Sequence, residues 1–203
     1  MRKKTSLQSG FTIIEILIVI AVAVFITAMA VPATNAFLRS NELTSAGRLI
    51  EQSFTNARML ATTRGRRVEA RIIRFNTQGQ VRGIQLFIFD ETGTTATPVS
   101  AFRALPTTIT VNENSQNSTL WSSLSNKTFT TNDPQVPVPG AGTAYTARAI
   151  QFLPNGGLAL NIDENWFLTL QPNRDDWTTA TLPSNFYCIQ IDPVLGSVRT
   201  YRP

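Results

Sequence analysis

From Phe11 to Val31 only Thr12, Glu15 and Thr27 interrupt a run of apolar residues, and Glu15 is its single charge. A carboxylate set among hydrocarbon costs several kcal/mol unless it is neutralised or paired. A run that keeps one therefore implies a partner for it. At about 1.5 Å per residue the run makes a helix of roughly 31 Å, the length of a bilayer core. In front of it stands Met1-Arg2-Lys3-Lys4-Thr5-Ser6-Leu7-Gln8-Ser9-Gly10, with three cations at its start. Such positive flanks stay cytoplasmic, which puts everything after Val31 on the other side.

Three readings compete for this segment. A secretory signal would be cut at Ala28-Met29-Ala30, an A-x-A site. A plain signal anchor would need no chemistry at all. In the third reading the cut falls between Gly10 and Phe11, and the helix stays on the mature chain. Glu15 favours the third: the cut exposes an α-ammonium on Phe11, four residues away on the same helical face. A buried carboxylate could then pair with the ammonium of a neighbouring subunit.

Gly10-Phe11-Thr12-Ile13-Ile14-Glu15 resembles the leader of type IV pilins and of the pseudopilins of type II secretion. The resemblance implies a prepilin peptidase that cuts after Gly10 and methylates the new N-terminal Phe11, with Glu15 serving subunit registration. It implies a leader over 1–10, a long N-terminal helix over 11–64 with a transmembrane first half at 11–31, and a periplasmic β-rich head over 65–203. Pro32 matches the usual kink of that helix, and proline inside a helix does remove a backbone donor.

Beyond Pro32, Phe37, Leu38, Leu43, Ala46, Leu49, Ile50, Phe54, Ala57, Met59 and Leu60 recur at three- and four-residue spacing, the stripe of a helix laid against a core. Gly65 should end it. The pattern then turns to period two over 68–72 and 81–89, with 76–80 as a hairpin turn. Further strands are expected at 109–111, 149–153, 158–162, 166–171, 186–191 and 198–201. Pro154-Asn155-Gly156-Gly157 reads as a turn, and the polar 112–145 region as a surface excursion with little regular structure. The expected fold class is thus α+β, a long bent helix packed on a mainly antiparallel sheet.

Three head segments carry a finer resemblance to minor pilins of the GspH/FimT type: Asn56 to Val68, Ile150-Gln151-Phe152-Leu153-Pro154-Asn155-Gly156-Gly157, and Ile191 to Arg199. This resemblance implies a minor pilin or pseudopilin that inserts in the inner membrane as a single-pass protein and joins the tip of a fibre. Its partners would be other pilin subunits, the peptidase, the membrane and a secreted cargo.

The formal charge of +5 falls to +2 if Arg2, Lys3 and Lys4 leave with the leader. Arg58, Arg64, Arg66, Arg67, Arg71, Arg74 and Arg82 gather near the helix end and first hairpin. They could grip phosphates or an acidic partner, or be a solvated strand face beside a helix C-terminus that favours cations. Some FimT-type pilins take up DNA and carry a Gly-Arg-x-Arg tail. Here it reads Gly196-Ser197-Val198-Arg199, with serine in the first arginine's place and Arg202 nearby. A DNA-uptake subunit contacting nucleic acid through Arg64, Arg66, Arg67, Arg71, Arg199 and Arg202 is therefore the alternative.

Cys188 is the single cysteine, so no internal disulfide can form, and its strand setting suggests a small buried hydrophobe. With no histidine, Ser-His-Asp and Cys-His machinery and most zinc sites are excluded. Asp163-Glu164 and Asp175-Asp176 lack the oxygen spacing of a calcium loop. The expectation is a non-enzyme with neither cofactor nor metal.

Overall fold

The computed structural model describes residues 11–203, with backbone alone over 29–37. Helix α1, Ile13–Arg64, is 52 residues long and contributes to two compact units, one ending at Leu38 and one spanning Arg39–Pro203. Pro32, the expected bend, falls where side chains lie outside the described residues.

The expectation of a transmembrane first half is overturned. Among the described residues no helix is long and apolar enough to cross a membrane. Inner-membrane insertion and a single-pass inner-membrane localisation fall with it.

In the second unit the α1 stripe is buried as its spacing requires: Leu43, Ala46, Ile50, Phe54, Ala57 and Ala61 are inaccessible to solvent. Gly47 is bare because the Tyr187 ring lies 2.5 Å from where a Cβ would stand. The helix stops at Gly65, whose φ of +60° is the left-handed conformation that glycine adopts without steric cost.

Strands β1, Val68–Phe75, and β2, Gln80–Phe89, form the expected hairpin. They join β3, Ala96–Pro98, β4, Arg103–Ala104, and β6, Tyr145–Phe152, in a first antiparallel sheet of order β3-β2-β1-β6, with β4 also on β2. A second sheet runs β5-β7-β8-β9, from Ile109–Val111, Trp166–Pro172, Tyr187–Ile191 and Val198–Tyr201. Its pairs are likewise antiparallel. The strand expected at 158–162 is reduced to one bridge, Phe152 to Leu158.

The inner faces of both sheets share one core with α1: Val68, Ala70, Ile72, Ile84, Ile150 and Phe152 from the first, and Val111, Leu168, Leu170, Ile189 and Ile191 from the second. The 112–145 region is not the surface excursion its polarity suggested. It carries a short helix, α2, Thr119–Ser123, whose Leu120 and Trp121 enter that core. It then crosses the outer face of the first sheet, where Phe129, Val136, Val138 and Ala141 cover Ile73, Phe75, Phe87 and Phe89.

The turn expected at Pro154 to Gly157 meets a second turn, at Asp192 to Gly196, beside the helix. Asn155 Oδ1 accepts the Gly157 amide at 3.0 Å, and Asp192 Oδ1 accepts the amides of Val194 and Leu195. Gly196, with φ +60°, presses so close to the Gly156 carbonyl that a Cβ would collide with it, and the Arg58 side chain lies against both.

Candidate functional site

Gly10 lies outside the described residues, and Phe11 is exposed. Thr12 and Glu15 meet across the first helical turn. The Thr12 amide points at Glu15 Oε2 at 3.4 Å, and the Glu15 amide donates to Thr12 Oγ1 at 3.3 Å. This reciprocal pair is a capping box, in which each side chain satisfies a backbone donor that the helix start leaves over. The T-x-x-E pattern before an apolar run is its sequence signal, and Thr12 is the residue the sequence reading missed. Around the carboxylate the helix is apolar and open: Ile13 is 81% exposed, Ile14 68%, Leu17 59% and Phe25 64%.

The arginines do not assemble into one basic surface. Arg64 is exposed at the helix end. Arg66 is held by Glu91 at 2.5 Å. Arg67 lies over the Phe89 ring at 4.3 Å and donates to the Gly93 carbonyl. Arg71, expected to be available on a strand face, is buried. Arg199 is exposed on β9, while Arg202 is fastened to α1 by hydrogen bonds to Ser40 and Thr44 and reaches Asn185. Arg202 thus ties down the C-terminus and is not free to replace the missing arginine of the tail.

Arg71 sits in a neutral buried cluster. Its Nε is 3.0 Å from Glu69 Oε2, and its Nη2 bonds to Asp133. Lys127 Nζ lies 2.9 Å from Glu69 and 2.7 Å from Asp133. Gln151 Nε2 donates to Glu69 Oε1 at 2.9 Å, and the Arg71 guanidinium stacks on Phe87 at 3.5 Å. Lys127 and Asp133 were missed by sequence reasoning, because both come from the covering segment. The cluster fastens that segment to the sheet and is closed to phosphate.

Beside Arg66 and Arg67, the Asp90 carboxyl is lowered to about 2, first by the Thr94 backbone amide and also by the Thr92 hydroxyl. A carboxyl depressed on folding stabilises its turn above its unfolded value, near 4, and the contribution fades as pH falls through about 2. The 90–95 turn is thus expected to keep its Thr94 amide protection at pH 5 and lose it towards pH 2, while Asp90→Asn lacks this step. Amide-resolved NMR across that range checks it.

Cys188 is half-buried, and burial raises its thiol pKa. No group of three or more His, Cys, Asp or Glu side chains suited to a metal occurs among the described residues.

No protein-family model and no curated protein matches the chain. Among solved structures it is similar to the type IV minor pilin FimU of Pseudomonas aeruginosa, with TM-score 0.48 and 16% identity, covering 82% of this chain and 96% of that one. It is also similar to the minor pseudopilin EpsH from the Type 2 Secretion System of Vibrio cholerae, with TM-score 0.44 and 10% identity, covering 80% and 98%.

Proposed function

We propose that the chain is a non-catalytic subunit of a pilin-like fibre, a minor pilin or pseudopilin of the GspH/FimT type, built in by its N-terminal helix. The observation that carries this is the open apolar surface of Phe11 to Ile26 around a single carboxylate. Contiguous apolar surface on this scale marks a contact site, and equivalent helices of neighbouring subunits would cover it. A prepilin peptidase cuts between Gly10 and Phe11 and methylates Phe11. The new α-ammonium of one subunit then pairs with Glu15 of another. In the unassembled subunit Glu15 stays in its capping box, so the carboxylate is satisfied until a neighbour arrives.

Mass spectrometry of the mature protein is expected to find a methylated Phe11 at its start; a chain beginning at Val31 would refute the leader. Glu15→Ala and Glu15→Gln separate the two roles of the carboxylate, because glutamine keeps an acceptor for the Thr12 amide but cannot form the ion pair. Both are expected to lose incorporation into fibres while the head melts at the wild-type temperature. If Glu15→Gln assembles normally, the ion-pair role is wrong and capping alone explains the residue.

A further inference from the structure

The two faces of the second sheet differ in character. Leu168, Ile189 and Ile191 point into the core, so alternation turns Phe167, Gln190 and, opposite it on β9, Arg199 outward. Two connected hollows lie on this outer face. A cleft of about 250 Å³ separates the 161–165 loop from the turn that follows β8, with Glu164, Asp192, Ser197 and Arg199 in its wall. A groove of about 450 Å³ continues from it, sharing Asn165, Gln190 and Arg199 and ending at Phe167 and Tyr201.

The polar groups of these hollows are uncommitted. Among the described residues, the side chains of Asn165, Gln190, Ser197 and Arg199 make no hydrogen bond or ion pair within the protein. Glu164 commits one oxygen to the Asn161 side-chain amide, and Asp192 one to the amides of Val194 and Leu195, which leaves each a second oxygen. Charges of both signs thus line one cleft without pairing to each other. A ligand of single charge would meet its own sign in that wall, whichever sign it carried. A hydroxyl would not, because it donates to a carboxylate and accepts from a guanidinium. The side-chain amides of Asn165 and Gln190 offer the same two functions.

The apolar parts of the hollows are open as well. Tyr201 is 61% exposed, its ring packed against Phe186 with centroids 6.1 Å apart. At the other end Ile162 is 66% exposed and Val194 59%. The geometry points to a binding site for a short neutral oligosaccharide, whose hydroxyls take the uncommitted groups and whose C–H face lies on the Tyr201 ring. A sugar combines a rim of hydroxyls with apolar ring faces, which matches convergent polar groups beside an exposed aromatic. A free amino acid or peptide end would satisfy the opposite charges but leave Asn165, Gln190 and Ser197 unmet. Glu164 and Asp192 disfavour nucleic acid and acidic sugars. A sugar site here is a property of the head and does not depend on the fibre reading.

Saturation-transfer NMR with the full chain tests it, using neutral trisaccharides of β-linked glucose, α-linked glucose, N-acetylglucosamine and mannose. At least one is expected to bind in the millimolar range or tighter. Its affinity is expected to change less than about twofold between about 0.05 and about 0.5 M salt, since no net charge is neutralised. Gln190→Ala and Tyr201→Ala are each expected to weaken binding about tenfold, through a lost hydrogen bond or ring contact. Both side chains are exposed, and thermal melting verifies that the variants are folded. Absence of binding by every trisaccharide at tens of millimolar, or unchanged binding in either variant, overturns the proposal. So does tighter binding of trigalacturonate, which would assign the cleft to an anion, or of glycylglycine, which would assign it to a zwitterion.

Discussion

Glu69→Ala is expected to destabilise the protein by about 3–5 kcal/mol, the cost of breaking a buried charge cluster by removing one member. Glu69 is 1% exposed and accepts from Arg71, Lys127 and Gln151. Its loss leaves two buried cations facing one remaining carboxylate, Asp133, and strands the Gln151 amide. A surface strand glutamate with the same sequence neighbours would cost well under 1 kcal/mol. Urea unfolding of the full chain measures the difference, read as a lowered midpoint at an unchanged slope. A loss below about 1 kcal/mol would mean that the cluster does not fasten the covering segment.

Trp121→Ala is the second large effect, expected at about 3–5 kcal/mol, the usual range for a buried large aromatic. Trp121 is 2% exposed in the shared core, and the Arg148 guanidinium lies 4.3 Å above its ring and donates to its carbonyl. Truncation opens a cavity under α2 and removes the stacking partner of an arginine whose Nε already lacks a hydrogen bond. Loss of tryptophan near-ultraviolet signal together with a lowered melting temperature would report it. A stability within about 0.5 kcal/mol of wild type would place Trp121 in solvent, as the polarity of its segment suggests.

These two residues mark the boundary of what could be read beforehand. The α1 stripe and the hairpin of β1 and β2 were legible because each rests on local periodicity. Gly65 and Pro154 to Gly157 were legible because glycine and proline punctuate the chain through their own backbone preferences. The alternation around Glu69 and Arg71 pointed to a solvated face because charges at every second position usually are one. Here the cover arrives from Lys127 and Asp133, 58 and 62 residues further along the chain. No window of sequence contains that pairing.

The candidate sites divide in the same way. Thr12 and Glu15 are three residues apart, so helix geometry alone brings them together, and the sequence determined that contact. It also determined the apolar surface around them, whose composition needs no tertiary partner to be apolar. Only the tertiary structure decided which arginines are free. It buried Arg71 between sheet and covering segment, spent Arg202 on the helix, and left Arg199 exposed on β9. Accessibility depends on what else the chain lays over a residue, and that is set by contacts distant in sequence.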